Sequence, residues 1–181
     1  MFRRPIFRPP PPDPRRGPQR LIRRAHHLMQ QGRFGEAGDI FEQLARGAEE
    51  RGIPRAAQLY LQAAQARFKE GNGQTGYKLL RHGLELLANA QRWPLLLQAG
   101  RRSLETLREL NHPQMATEIE NWLKATLPER VEELQPSGAK PKTLPPKCPF
   151  CGGNVRPDEV EWMDTTTAEC MYCGSPIQAA E

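Results

Sequence analysis

Cys148-Pro149-Phe150-Cys151-Gly152 and, with eighteen residues between the inner cysteines, Cys170-Met171-Tyr172-Cys173-Gly174 hold all four cysteines of a 181-residue chain. A tetrahedral ion such as zinc asks for four soft donors about 2.3 Å from the metal. Two thiolates separated by two residues reach one ion only if the backbone between them turns tightly. Gly152 and Gly174 suit that turn because glycine takes positive φ, and N–H groups in such a turn can point at the sulfur charges. Each pair is therefore read as a knuckle, and the two knuckles as one site.

Other chemistries use the same residues. A disulfide framework needs an oxidising compartment, to which nothing in the sequence directs the chain. A redox dithiol is raised by Cys148-Pro149-Phe150-Cys151, which looks like the glutaredoxin active-site tetrapeptide, but that chemistry wants its first cysteine at a helix N-terminus in a βαβ setting. Four thiolates can also hold iron, alone or in a cluster. The paired spacing favours a mononuclear zinc site.

The segment resembles the zinc-ribbon family, in which a Cys-Pro-x-Cys-Gly knuckle and a Cys-x-x-Cys-Gly knuckle clamp one zinc between short antiparallel strands. The resemblance spans about thirty residues, 148–178. It implies that Cys148, Cys151, Cys170 and Cys173 are the ligands of one structural Zn2+, since four thiolates leave no coordination position for water or substrate. Val155, Val160, Trp162, Met163, Tyr172 and Ile177 are expected to supply the small core. That is too little to hold a fold without the metal.

Upstream, 38% hydrophobic residues allow a modest core while a mean hydropathy of −0.71 leaves much of the chain wet. Prolines mark the boundaries: seven of the eighteen lie in residues 1–18 and five in residues 136–149. The expected organisation is a disordered Pro/Arg-rich arm (1–18), a helical domain (19–134), a Pro/Lys linker (135–147) that holds the ribbon off the helices, and the ribbon. Charge follows the same division. Residues 1–24 carry eight arginines and one aspartate, residues 25–135 are balanced at fourteen each, and residues 136–181 carry four basic and six acidic groups, which gives the net +5. The basic character thus belongs to the arm.

Between the proline-rich stretches, apolar residues recur at helical spacing. Leu21, Ile22, Ala25, Leu28 and Met29 make the first run, and Ala37, Ile40, Phe41, Leu44 and Ala48 the second. Leu59, Tyr60, Ala63 and Ala64 follow, then Tyr77, Leu80, Leu84 and Leu87, then Leu96, Ala99, Leu107 and Leu110, and last Met115, Ile119, Trp122 and Leu123. Pro128 is expected to open a short turn through Leu134. Six amphipathic helices with short turns read as three antiparallel hairpins. Gly32, Gly71 and Asn111 each end a helix, with the small residues Ala37, Gly76 and Ala116 five positions on, a period of 39 then 40 residues. Ala25, Gly32, Phe34, Ala37 and Phe41 of the first unit resemble the tetratricopeptide repeat. The third unit departs from it, with polar Glu120 at a large apolar position. The fold class is therefore mainly α: tetratricopeptide-like hairpin repeats plus a small C-terminal β zinc ribbon.

The resemblance implies a protein partner held on the surface formed by the first helix of each hairpin, where Arg24, His27, Gln58, Gln62, Gln65, Arg101 and Arg102 are the candidate polar residues. His26, His27, His82 and His112 show no ligand or triad spacing, and neither a phosphate loop nor a nucleophile elbow occurs. Glu49-Glu50 and Glu132-Glu133 are expected on exposed helix surface. The chain is read as a non-catalytic adaptor or scaffold, its helical repeats binding a protein partner and the ribbon serving as a second docking module, with the arm a candidate contact for nucleic acid or another anionic surface. The alternative is a nucleic-acid-associated protein using the arginine arm for phosphate contacts. The arm lacks the apolar run of a signal peptide, and its four consecutive prolines forbid a helical presequence, so the expected location is cytoplasmic. The ribbon carries Asp158, Glu159, Glu161, Asp164 and Glu169 against Arg156, which disfavours a phosphate grip there.

Overall fold

The computed structural model describes residues 16–128, 143–157, 160–163 and 166–179. Its helices are α1 (Arg16–Gln30), α2 (Phe34–Glu49), α3 (Ala56–Glu70), α4 (Gly73–Asn89), α5 (Trp93–Glu109) and α6 (Pro113–Thr126). Each packs on the next, and α4 also meets α6. The arm's residues 1–15 and the turn expected through Leu134 lie outside the described residues. Helix α1 starts earlier than expected, at Arg16, because Pro18 falls in the first turn, where no backbone N–H has an intrahelical partner to lose.

The repeat is more regular than the sequence suggests. Five residues adopt left-handed backbone at Gly32, Gly52, Gly71, Gln91 and Asn111, spaced by 20, 19, 20 and 20. At each one the following N–H reaches back to a carbonyl five residues earlier: Arg33 to Leu28, Ile53 to Ala48, Asn72 to Arg67, Arg92 to Leu87 and His112 to Leu107, at 2.8–3.0 Å. These are five Schellman closures of five helices. Gly52 and Gln91 end α2 and α4, so the structural repeat is one helix plus its turn, half the sequence period.

Small residues sit where helices approach. Ala25, Ala37, Ala64 and Ala116 are almost fully buried. A Cβ at Gly76 would meet the Phe68 ring at 3.0 Å, and one at Gly100 would press into Leu123 at 2.5 Å. Phe41, Leu84, Leu87, Leu96, Leu107 and Ile119 are the large, fully buried side chains of this core. Glu49, expected on an exposed surface, ties three helices together: it accepts from Tyr60 Oη at 2.7 Å and pairs with His82 Nε2 at 3.0 Å. Glu120, the departure in the third unit, pairs with Lys124 and Arg108 at 2.8 and 3.2 Å.

After residue 142 the chain forms a small antiparallel sheet of order β1-β2-β3, with β1 (Glu161–Trp162), β2 (Thr167–Glu169) and β3 (Pro176–Gln178). Its register places Trp162 opposite Ala168 and Ala168 opposite Ile177. Val155, Ala168 and Ile177 are buried, as is Leu144, which sequence reasoning had placed in the linker. Trp162 and Met163 are not core residues: Trp162, at the end of the edge strand β1, is 38% exposed, and Met163, just after it, 65%. The larger correction concerns placement. The cysteine unit is not held off the helices; it lies against α1 and α3.

Candidate metal centre

The two knuckles have the same backbone. Gly152 donates to the Cys148 carbonyl at 2.9 Å and Gly174 to the Cys170 carbonyl at 2.8 Å, with φ of +75° and +68° at the two glycines. Cys148 N–H closes on the Gly153 carbonyl at 2.8 Å, and Cys170 N–H on the Ser175 carbonyl at 2.9 Å. Each knuckle is thus a short hairpin end turned by a left-handed glycine. The bridge Lys147–Asn154 extends the first, and β2 with β3 extend the second.

These turns bring the four sulfurs together. All lie within 4.8 Å of one another, and among the described residues this is the metal-competent cluster. Cys148 Sγ is 3.8 Å from Cys173 Sγ, and Cys151 Sγ is 3.8 Å from Cys170 Sγ, both pairs running across the two knuckles. A tetrahedron with arms of about 2.3 Å has edges of about 3.8 Å, so the donor set fits a four-coordinate ion in type, number and spacing. All four are free cysteines, and Cys148, Cys151 and Cys170 are buried. Hydrogen bonds from Cys151 and Cys170 draw the Cys148 thiol down to about 7. Cys173 is held well below its usual value by its bonds to Cys148 and the other thiols. The same contacts push Cys151 and Cys170 up. Four sulfurs at this spacing cannot all ionise without a cation among them.

The knuckles are also what touches the helices. From α1, Arg23 Nη2 donates to the carbonyls of Phe150 and Pro149 at 2.5 and 3.4 Å, and Gln19 Nε2 donates to Ser175 Oγ at 3.0 Å. From α3, Gln62 Nε2 donates to Tyr172 Oη at 3.3 Å. Arg55, just before α3, lies 4.0 Å from Glu169 and covers Gly174 so closely that a Cβ there would overlap its guanidinium. Between α1 and the second knuckle, His26 packs edge-on against Tyr172, 5.2 Å between ring centroids, and edge-on against Phe41 on its other side, also at 5.2 Å. Gly153 fits here because it lacks a side chain: a Cβ would overlap the Tyr172 ring and lie 2.8 Å from His26 Nε2. Burial pushes His26 down to about 4, against an opposing pull from Cys173, and pushes Tyr172 up to about 12.

Beside this joint runs a cleft of about 340 Å³ between α3, α5 and the second knuckle. Of the polar residues nominated from sequence, Gln58, Gln62, Gln65 and Arg102 line it. Arg24, His27 and Arg101 do not; all three are exposed elsewhere, and His27 pairs with Gln31 at 2.9 Å. Gln19, Arg23, His26 and Arg55 escaped the sequence reading because their partners lie more than 110 residues away. Among the described residues no catalytic cluster is seen, and no helix is long and apolar enough to cross a membrane. No family model, curated protein or solved structure matches the chain.

Proposed function

We propose that the chain is a non-catalytic interaction adaptor. In this reading its tetratricopeptide-like helices present a surface to a protein partner, and a zinc-ribbon-like unit, holding one structural Zn2+ through Cys148, Cys151, Cys170 and Cys173, builds one wall of that surface. The observation that supports it most is the closed set of four sulfurs at tetrahedral spacing inside a unit docked on α1 and α3. Four thiolates saturate zinc, so the ion supplies architecture and leaves no position for a reacting water. The cleft beside it sets the amides of Gln58, Gln62 and Gln65 over apolar Leu61 and Phe68. Amide side chains both donate and accept, which suits the backbone of a bound polypeptide. Free thiols belong to a reducing compartment, which favours the cytoplasm.

The test has two arms. Metal analysis of purified full-length chain should return one zinc per chain, lost together with the β signal on chelation. Partners crosslinked to the full chain should be lost when Gln62 and Gln65 are both replaced by alanine. A chain without stoichiometric metal, or one that keeps its partners through that double substitution, refutes the reading. Nucleic-acid affinity that falls steeply with salt only while residues 1–18 are present would favour the phosphate-binding alternative.

A further inference from the structure

We infer that the cysteine unit is a metal-locked cover on the face formed by α1 and α3, so that holding the ion and covering that face are one coupled event. The inference rests on the reading of the four cysteines as a metal site and goes beyond it, because a ribbon can hold zinc without docking on anything.

The coupling follows from where the contacts fall. The carbonyls that accept from Arg23 belong to Pro149 and Phe150, the two residues between Cys148 and Cys151. Tyr172, which meets both His26 and Gln62, lies between Cys170 and Cys173. Ser175, which accepts from Gln19, is also 3.3 Å from Cys173 Sγ through its hydroxyl. Glu169, facing Arg55, immediately precedes Cys170, and Gly174, under the Arg55 guanidinium, immediately follows Cys173. The docking surface is therefore made of knuckle backbone and of residues aimed by the knuckle turns.

Those turns have little else to hold them. The sheet has strands of two or three residues over Val155, Ala168 and Ile177, and a core of that size does not pay for ordering the chain without an ion. The helices bury far more, with Phe41, Leu84, Leu96, Leu107 and Ile119 fully buried in a core that runs on to Tyr172 and Ile177. Removing the ion should thus loosen the cover and leave the helices folded, opening a face that carries Gln19, Arg23, His26 and Arg55. Linkage makes the effect mutual: helix residues that grip the knuckles must also tighten the metal.

The experiment uses the full chain loaded with zinc. Arg23→Ala and Arg55→Ala touch no sulfur, and each should weaken zinc retention against a competing chelator by at least about fivefold, the lower end of ordinary coupling between sites. In the parent chain, chelation should make His26, whose Nε2 is buried, reactive to diethyl pyrocarbonate, with helical circular dichroism kept and protection restored by added zinc. Exposed His27 provides the internal control. Zinc held equally tightly by both variants, His26 still protected in chelator, or helices that melt with metal loss would each overturn the cover while leaving the metal site standing. Absence of stoichiometric zinc in the parent would instead overturn the reading beneath it.

Discussion

Replacing His26 by leucine should remove an acid-sensitive part of the protein's stability. The imidazole sits between the Phe41 and Tyr172 rings, its Nε2 is buried without a partner, and burial lowers it from 6.5 to about 4. In the unfolded chain the group returns to its ordinary value. Above pH 6.5 neither state holds the proton and proton linkage contributes nothing. Between pH 6.5 and 4 the unfolded chain takes up a proton that the folded one refuses, so stability falls as the pH falls. Below about 4 both states are protonated and the loss is complete. A displacement of this size corresponds to about 3 kcal/mol at most, at 1.36 kcal/mol per pH unit. The influence raising the imidazole is the charge on Cys173, and a cation on the sulfurs cancels it, so metal-loaded protein should show the limb at least as strongly. Urea denaturation from pH 7.5 to 4.5 measures it. Acid also strips metal from thiolates, so the difference between the two pH profiles is read only over the range in which metal analysis finds both parent and variant loaded. Profiles that run parallel below pH 6.5 within that range would refute the burial of His26 under the cysteine unit.

Other expectations follow from the turns and the joint. Gln91 holds a left-handed turn with a side chain attached; Gln91→Gly should raise stability by up to about 1 kcal/mol in thermal melts, whereas Gly71→Ala should lower it by about 1–2 kcal/mol. Gly153→Ala places a methyl into the Tyr172 ring and against His26 Nε2, so it should expose His26 to acylation even with zinc bound. Zinc affinity should fall as the pH falls, since each thiol must lose a proton to bind; competition titrations at pH 7.5 and 6 that give equal affinities would contradict thiolate ligation.

The helical half was legible because its information is local. Apolar residues at helical spacing and breakers at Gly32, Gly71 and Asn111 fix helices and turns within a dozen residues of themselves, and all three breakers are left-handed in the structure. Gly52 and Gln91 were passed over for different reasons. Gly52 stands beside Pro54, which drew attention to the start of the next helix. Gln91 carries no signal at all, since a glutamine in left-handed backbone is imposed by packing rather than preferred. The convergence of the four sulfurs was legible for the same local reason, two knuckles each turned by a glycine. Trp162 and Met163 were misassigned to the core because hydrophobicity alone ranks them there. Met163 lies beyond β1, and Trp162, though opposite Ala168 and so on the face that Ala168 and Ile177 bury, ends a two-residue edge strand that leaves its ring 38% exposed.

The docking of the two halves was illegible for a reason that also explains why it matters. Neither surface looks like an interface in sequence: Gln19, Arg23, Arg55 and Gln62 read as ordinary wet helix, and the knuckle positions between cysteines read as spacers. Their complementarity lies in backbone carbonyls that a turn exposes, in a ring that Cys170 and Cys173 aim, and in one carboxylate, Glu169, opposite Arg55. On the proposed reading none of these forms as a surface until an ion has drawn the four sulfurs together. The acidity of the C-terminal segment, taken alone as a sign against phosphate binding, has at Glu169 a second use as the counterpart of Arg55, the residue before α3. If the four sulfurs hold an ion as proposed, that interface is conditional on it, and a sequence reading that treats the C-terminal segment as an independent module on a linker misses that condition along with the contact.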